Sequence, residues 1–259
     1  MKKRILVVDV GGNNVKLSMA GHKEPLKIPS GPKLTPAKMA AEVAKAVAGW
    51  KYDAVTIGYP GATKNGRPAR EPHNLGGGWV RFDYGKAFKK PVRMVNDAAL
   101  QALGSYEGGR MLFLGLGTGL GSALVADGVL MPLELAHLPY RKGRTYEDYV
   151  GERGLKRMGA AKWTRHVARV VALLKHALQA DHVVLGGGQT RKLEALPPGA
   201  RVGSNTNALT GGIRLWDEAA APPRRRSPLA RSRKAGTKPA PSPASDTAAP
   251  GEPDTPPTD

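Results

Sequence analysis

Two glycine-rich turns and a neighbouring carboxylate are the groups in this sequence best suited to chemistry. The first turn covers 9–14 and contains Gly11 and Gly12, and the second covers 115–121 with glycine at every second position. Glycine turns allow backbone N–H groups to approach phosphate oxygens closely. Asp9 follows an apolar run, where a carboxylate is placed to hold Mg²⁺ through water. Each turn alone reads as an ordinary hairpin, but the two together, with Asp9 beside the first, favour phosphoryl chemistry.

Transfer of a phosphoryl group to an alcohol also requires a base that takes the hydroxyl proton. Asp97 is the best candidate, because it follows the apolar segment 92–95 and stands with Asn96 at the start of the helical segment 98–106. A plain helix cap is the alternative interpretation of the same residues.

Several other chemistries are excluded by what the sequence lacks. It contains no cysteine, which excludes disulfides, thiolate zinc sites, iron–sulfur clusters and a cysteine nucleophile. The second turn fails the G-x-G-x-x-G pattern at Leu120 and is followed by a strand-like segment, which argues against a dinucleotide fold. No G-x-x-x-x-G-K-[ST] run is present, which argues against a P-loop enzyme.

The elements that carry these groups alternate between strands and helices. Apolar runs predict buried strands at 4–10, 54–58, 92–95, 111–116, 122–126 and 182–185. Apolar residues at helical spacing predict helices at 36–47, 98–106, 163–180 and 207–216. This alternation predicts an α/β protein. The strands 4–10 and 111–116 both run into a glycine turn, which favours two similar lobes, although a single sheet also fits.

The charge of the chain is strongly positive, with 40 Lys and Arg residues against 21 Asp and Glu and a formal net charge of +19. Residues 217–259 hold 10 of the 22 prolines and no aromatic residue, so we expect a disordered Pro/Ala/Arg-rich tail. This tail has a net charge of +1, which leaves +18 for residues 1–216. A field of that sign attracts polyanions, although a basic composition without functional meaning explains it equally well.

The sequence gives no sign of membrane insertion. It has no apolar run of about 18 residues, the length that a transmembrane helix needs. The basic start is followed by an apolar stretch that stops at Asp9, too short for a signal peptide. We therefore expect a cytoplasmic protein without a membrane partner.

Taken together, these segments resemble the ROK family of sugar kinases, within the actin/hexokinase/heat-shock-ATPase superfamily, over roughly residues 4–216. The motifs occur in the family's order: Asp9–Lys16 is similar to the first phosphate motif, Asn74–Trp79 to the sugar-loop signature, Val95–Ala98 to the segment with the catalytic aspartate, Gly117–Gly121 to the second phosphate motif, Glu134–His137 to the sugar-contact motif E-x-G-H, and Gly186–Gly188 to the adenosine-side glycines. Within the family, the short length, the absent cysteine motif and the Glu-x-x-His form resemble the polyphosphate glucokinases.

This resemblance implies a two-lobed, actin-like ATPase or ribonuclease H-like fold with a cleft between the lobes. The N-terminal lobe would be 1–97 and the C-terminal lobe 98–216, with the last helix packing back on the first lobe. Asp97 would be the catalytic base, and the sugar-binding residues would be Asn74, Asn96, Asp97, Glu134 and His137. The phosphate-binding residues would be Gly11, Gly12, Asn13, Lys16, Gly117, Thr118, Gly119, Gly121, Gly187 and Gly188. Asp9 would hold the cofactor, Mg²⁺.

The implied substrates are a hexose, with the 6-OH of glucose as acceptor, and either polyphosphate or ATP as donor. Asn13 stands where the family usually has Thr or Ser, and Ala136 replaces the motif glycine, which adds a methyl group near the sugar. His137 has no thiolate neighbours and is interpreted as a sugar contact or a packed histidine. Glu152 follows at a spacing where the family often has a further glutamate, and Glu147 and Asp148 compete for that position.

Two other functions are consistent with parts of the sequence. The family includes non-catalytic sugar-binding regulators, but these carry an N-terminal DNA-binding domain, and the first strand here starts at residue 4. The basic charge suggests a nucleic-acid-binding protein, yet aromatic interleaving and a reading motif are missing, so we do not expect nucleic acid as the partner. Family members are often dimers, so a homodimer is among the expected assemblies.

Overall fold

Residues 3–204 and 206–217 are described by a computed structural model of the chain. The strands are β1 (Ile5–Val10), β2 (Asn14–Ser18), β3 (Leu26–Pro29), β4 (Ala54–Tyr59), β5 (Thr63–Lys64), β6 (Arg67–Pro68), β7 (Val92–Asn96), β8 (Arg110–Leu116), β9 (Leu120–Ala126), β10 (Val129–Leu133), β11 (Pro139–Arg141), β12 (Arg144–Thr145), β13 (His182–Gly186) and β14 (Ala200–Val202). The helices are α1 (Pro36–Ala46), α2 (Tyr84–Phe88), α3 (Asp97–Ser105), α4 (Tyr146–Val150), α5 (Glu152–Met158), α6 (Ala160–Ala177) and α7 (Asn207–Arg214), with a 3₁₀ helix at Gly188–Lys192.

The first five-stranded sheet has the order β3-β2-β1-β4-β7. Strands β1, β4 and β7 are parallel, and β2 and β3 continue the sheet as antiparallel strands. Every residue of β4 is buried, as expected for a strand covered on both faces. Because the three parallel strands end at one edge, the residues that follow them, including Asn96 and Asp97, lie at that edge together with Asp9.

The second sheet repeats this plan, with the order β10-β9-β8-β13-β14. Strands β8, β13 and β14 are parallel, and β9 and β10 are antiparallel. The coarse repeat in the sequence is therefore confirmed as two sheets of the same strand order, in a mixed α/β protein. Each sheet has its own core: Trp79, Tyr59 and Met39 are buried in the first, and Trp163 and Leu112 in the second.

Helices α3 and α7 join the two sheets. Helix α3 packs against β9 and β8 of the second sheet and against β4 of the first. Helix α7 packs on α3 and also on β1 and β4. The contact with α3 is very close, since a Cβ atom on Gly104 or Gly211 would overlap backbone atoms of the facing helix. The hydroxyl of Thr56 in β4 donates to Gly212 O (2.7 Å) and accepts from Trp216 Nε1 (2.8 Å), which fixes α7 to the first sheet.

The predicted elements are present, with shifted ends in several cases. Helix α1 is capped by Thr35, whose hydroxyl accepts from Lys38 N. Helix α6 begins at Ala160 rather than 163, because Gly159 with φ 76° ends the preceding helix and starts this one. The turn at Asp127-Gly128 has positive φ at both residues, which suits a two-residue hairpin. The two-residue strands and the short helices α2, α4 and α5 are too brief to produce a periodic signal.

Two further predictions concern the tail and membrane insertion. The predicted tail is 217–259, and all of it beyond Asp217 lies outside the described residues. Within 3–204 and 206–217, no helix has both the length and the apolar character needed to cross a membrane.

Candidate active site

The first glycine turn joins β1 to β2 and is tightly fixed. Gly11 N donates to Asn14 O (3.0 Å), and Ser30 N donates to Asn13 O (3.1 Å). The hydroxyl of Ser30 also donates to Gly11 O. Gly12 and Asn13 are exposed at the tip, so their backbone is accessible to an anion. Asn13 thus fits the turn despite its departure from the family's residue.

Asp9 lies directly opposite Lys16 in the β1–β2 pair and beside Gly58 in the β1–β4 pair. A Cβ atom on Gly58 would lie 3.2 Å from Asp9 Oδ1 and 2.8 Å from the side chain of Leu100, so glycine is required for this close packing. Burial raises the pKa of the Asp9 carboxyl, and the charge of Lys16 opposes that shift. The sequence thus places a buried carboxylate and a lysine at the base of the first turn.

Asn96, and not Asp97, is the cap of α3. Its Oδ1 accepts from Ala98 N (2.9 Å) and Ala99 N (3.2 Å), and its Nδ2 donates to Gly61 O (3.1 Å). Asn96 is therefore the helix cap, and Asp97 occupies the first helical position. Its Oδ1 contacts Ala98 N at 2.8 Å, which leaves Oδ2 for another partner. One N–H of Asn96 Nδ2 also remains for a ligand.

Asp97 lies close to carboxylates from both sheets. Burial raises the pKa of the Asp97 carboxyl to about 7, the charges of Asp9 and Glu134 add to the shift, and the backbone N–H groups of Ala98 and Asp97 oppose it. Asp9 comes from β1 and Glu134 from the segment after β10, so the two lobes contribute to one electrostatic site. An aspartate with a pKa near neutrality, among other carboxylates, is typical of a proton-transfer site.

The second glycine turn is shorter than the sequence suggests. Strand β8 ends at Leu116 and β9 starts at Leu120, so the turn itself is Gly117–Gly119. Gly121 lies inside β9, where an added Cβ atom would be 2.7 Å from Ala98 Cβ. This close approach brings the start of β9 against the first turn of α3, next to Asp97.

The glycines after β13 adjoin the second turn. Strands β8 and β13 are parallel, with Gly115 opposite Gly186, so the residues that follow both strands lie side by side. Gly187 has φ 87°, and a Cβ atom there would overlap the backbone of Leu116. Gly188 begins the 3₁₀ helix, whose first turn is closed by Thr190 Oγ1 donating to Gly187 O (2.8 Å).

The loop of Asn74 lies beside the first glycine turn, and the charge of Glu134 reaches Asp97 from the segment after β10. An added Cβ atom on Gly12 would lie 4.0 Å from Asn74 Cβ, so Asn74 borders the first glycine turn. Glu134 and His137 are both exposed. Ala136 is 5% exposed and packs in the core of the second sheet, so its methyl group is directed into the protein.

Glu147 is a residue of this site that the sequence did not single out from its neighbours. Its Oε2 accepts from Leu120 N at the end of the second turn (3.3 Å), and its N–H donates to Ala136 O (3.0 Å). It therefore links the second turn to the Glu134–His137 segment. Glu152 instead forms an ion pair with Lys156 (2.8 Å), and Asp148 closes the capping box of α4 with Thr145. Of the three acids, only Glu147 has a side chain bonded to the turn.

The carboxylates of this site would need ligand atoms beside them to complete the coordination of a cation. Within the described residues, no group of three or more His, Asp or Glu side chains is arranged to hold a metal. Asp9 and Asp97 are nevertheless neighbouring carboxylates whose pKa values are raised, and a cation beside them would relieve that cost. A cavity of about 350 Å³ lies at the amino-terminal ends of β13 and β14, and none of the candidate residues lines it.

Comparisons with known proteins agree with this geometry. No family profile matches the chain. A polyphosphate glucokinase of Mycobacterium tuberculosis (strain CDC 1551 / Oshkosh) is 26% identical over 213 residues, which is 74% of this chain and 80% of the relative. A glucokinase of Pyrobaculum calidifontis is 34% identical over 97 residues, 35% of this chain and 33% of the relative.

Solved structures match over most of the described residues. The inorganic polyphosphate/ATP-glucomannokinase of Arthrobacter sp. strain KM superposes with a TM-score of 0.69 at 22% identity, covering 82% of this chain and 97% of that one. A ROK family glucokinase of Streptomyces griseus, in complex with glucose and AMPPNP, gives 0.65 at 16% identity, covering 82% and 98%. The chain therefore has the actin-like, two-sheet fold of the ROK-family sugar kinases, and its sequence resembles the polyphosphate glucokinases, as its motifs predict.

Proposed function

We propose that this protein is a sugar kinase that transfers a phosphoryl group from polyphosphate or ATP to a hexose hydroxyl, the 6-OH of glucose. The observation that carries the proposal is the position of Asp97. Its pKa is raised to about 7 by burial and by the charges of Asp9 and Glu134, and the next residue, Ala98, packs against Gly121 beyond the second glycine turn. The polyphosphate glucokinases and ROK kinases to which the chain is similar support the same activity.

Asp97 acts as the general base of the transfer. Its ionised carboxylate takes the proton of the acceptor hydroxyl as the hydroxyl oxygen forms its bond to phosphorus. The bond from phosphorus to the donor's bridging oxygen breaks, and that oxygen leaves with its electron pair. A pKa near neutrality suits this task, because the group is a stronger base than an ordinary aspartate and is still substantially ionised at pH 7.

The sugar binds between the loop of Asn74 and the segment of Glu134 and His137. Amide and carboxylate groups bind neighbouring sugar hydroxyls through paired hydrogen bonds, and Asn96 contributes the N–H that its capping role leaves free. Glu134 and His137 are exposed, so their side chains are accessible for such bonds. Exclusion of water on closure of the cleft would favour transfer to the sugar over hydrolysis.

The donor phosphates bind to the two glycine turns. Gly11, Gly12 and Asn13 with Lys16 receive one part of the donor, and Gly117, Thr118, Gly119, Gly187 and Gly188 receive the rest. Asp9 would hold a Mg²⁺ ion that enters with the donor, and this ion would neutralise phosphate charge. Magnesium is commonly held by one or two carboxylates together with phosphate oxygens and water, which fits a site that has too few protein ligands of its own.

A coupled assay tests this proposal. The full chain is incubated with Mg²⁺, either ATP or long-chain polyphosphate, and glucose, mannose, fructose or N-acetylglucosamine, and sugar phosphate is measured. We expect glucose 6-phosphate with at least one donor. Glucose binding measured by calorimetry, without turnover on either donor, would instead indicate a sugar-binding regulator. Absence of both binding and turnover for every sugar would refute the proposal.

A further inference from the structure

The loop that carries Asn74 is rich in glycine. It runs from Pro72 to Gly78 and includes the three consecutive glycines 76–78, of which Gly78 has φ 96°. Glycine has the largest conformational freedom of any residue, so ordering such a loop carries a high entropic cost. Asn74 itself is exposed, and its side chain has no hydrogen bond to another described residue to hold it. The next residue, Leu75, packs in the core of the first sheet and fixes the middle of the loop, so the ends of the loop are the remaining points that must be held.

Glu71 closes this loop at its base. Its Oε2 accepts from Trp79 N (3.0 Å) and its Oε1 accepts from Val80 N (3.1 Å), so one carboxylate bridges the two ends of the loop. Glu71 is exposed, and the slight loss of hydration that raises the pKa of its carboxyl is outweighed by the N–H groups of Trp79, Val80 and Gly78, which lower that pKa below its ordinary value. Glu71 belongs to none of the ion pairs formed among residues 3–204 and 206–217, so its charge is directed to these amides.

The far end of the loop is anchored on the core of the first sheet. Trp79 is fully buried, and its Nε1 donates to Gly76 O (2.6 Å). Tyr84 Oη donates to Trp79 O (2.9 Å), and Gly76 N donates to Leu34 O (3.0 Å). The core therefore fixes Trp79, and the Glu71 carboxylate links the start of the loop to the backbone of Trp79 and Val80.

We propose that Glu71 is a positioning residue for sugar binding, which holds the Pro72–Gly78 loop closed so that Asn74 faces the site before the sugar arrives. This inference rests on the proposed sugar kinase activity. Glu71 makes no contact with the reacting groups and acts through the backbone of Trp79 and Val80. When the carboxylate is absent, the loop samples open conformations, and the sugar must select the closed one.

The expected effect is on affinity more than on turnover. If the closed loop is populated in about a tenth of the molecules, the apparent dissociation constant of the sugar rises about tenfold. Bound sugar restores the closed loop, so kcat changes much less than KM. A merely structural role would instead lower kcat in proportion to the fraction of folded protein and would leave KM unchanged.

The experiment compares Glu71→Ala, Glu71→Gln and the control Glu42→Ala in the full chain. Glu42 is an exposed carboxylate on α1, remote from the loop in sequence and without a resolved contact to it, so it matches the loss of charge. Hydrogen exchange of the amides of residues 78–80 is measured without substrates, and KM for glucose and kcat are measured with the donor that supports turnover. We expect Glu71→Ala to exchange faster at 78–80 and to raise KM about tenfold. Glu71→Gln keeps one acceptor oxygen and should fall between wild type and Glu71→Ala.

The outcomes separate this inference from the proposed function. Unchanged exchange at 78–80 in Glu71→Ala would overturn the closure of the loop by Glu71. Faster exchange with unchanged KM would overturn its role in sugar binding. If wild-type protein phosphorylates no sugar, the proposed function fails on its own terms, while hydrogen exchange still reports whether Glu71 closes the loop.

Discussion

Replacing Asp97 by asparagine tests two consequences of its raised pKa, one for the free energy of unfolding and one for kcat. The folded protein holds the pKa of this carboxyl at about 7, against an ordinary value of 3.8. At about 1.4 kcal/mol per pH unit, the shift corresponds to at most about 4 kcal/mol of lost stability above pH 7. This figure is a ceiling, because solvent reaches the half-buried side chain and screens its charge.

The sign follows from proton binding. Between pH 4 and pH 7 the folded state retains the proton on Asp97 and the unfolded state has released it, so the folded state binds more protons. The free energy of unfolding therefore falls as the pH rises through this window, and it changes no further from this group above pH 7. The amide of the Asp97→Asn variant cannot ionise, so the free energy of unfolding of that variant lacks this dependence on pH.

Urea unfolding of the full chain at pH 5 and pH 8 measures the effect. We expect wild type to lose between about 1 and 3 kcal/mol more than Asp97→Asn between the two pH values, because only the part of the shift above pH 5 is sampled, with Glu42→Gln behaving as wild type. In the coupled assay, Asp97→Asn should lower kcat by about 10²–10⁴-fold while glucose still binds. Equal losses of stability in wild type and Asp97→Asn would refute the electrostatic reasoning, and near-normal kcat would refute Asp97 as the base.

Two further predictions concern the frame and the tail. Gly104→Ala should lower the free energy of unfolding by about 1–3 kcal/mol, because its methyl group would meet the backbone of α7, whereas Gly85→Ala on α2 has room and should be near neutral in the same urea titration. Removal of residues 217–259 should leave kcat and KM unchanged in the coupled assay, and a large loss of activity would assign the tail a function.

The sequence predicted the strands that lead to the principal carboxylates but not how those strands pair. The apolar runs at 4–10 and 92–95 lead to Asp9 and to Asn96-Asp97, and in the structure both runs are parallel strands of one sheet, joined through β4. Parallel strands end at the same edge, and helix α3 starts where β7 ends, which places Asp97 within the field of Asp9. This pairing joins segments far apart in the chain, so the local patterns alone did not contain it.

The groups that hold the site in place were harder to predict. Glu147 and Glu71 are charged residues in loop-rich sequence, and neither lies within an apolar pattern that fixes its direction. Their roles depend on which backbone N–H groups the fold brings within reach, at a sequence separation of 27 residues for Glu147 and Leu120 and of eight or nine for Glu71. The Gly104–Gly211 contact likewise could not be predicted from the local sequence. A glycine inside a helix only lowers the helix propensity, and its packing role appears when the second helix is known to cross at that residue.

The properties of Asp97 follow from its position at the junction of two separately built sheets. Burial raises the pKa of Asp97 most, and the charges of Asp9, from the first sheet, and of Glu134, from the segment that follows β10 of the second sheet, add to the shift. A rearrangement that moves Glu134 away from α3 would therefore lower that pKa and weaken Asp97 as a base, even with Asp97 and its helix unmoved. The close packing of Gly121 on Ala98 opposes such a separation by fixing β9 against the start of α3. Basicity at this aspartate is thus a property of the assembled pair of sheets, and mutations at their contact should alter proton transfer without touching a polar group.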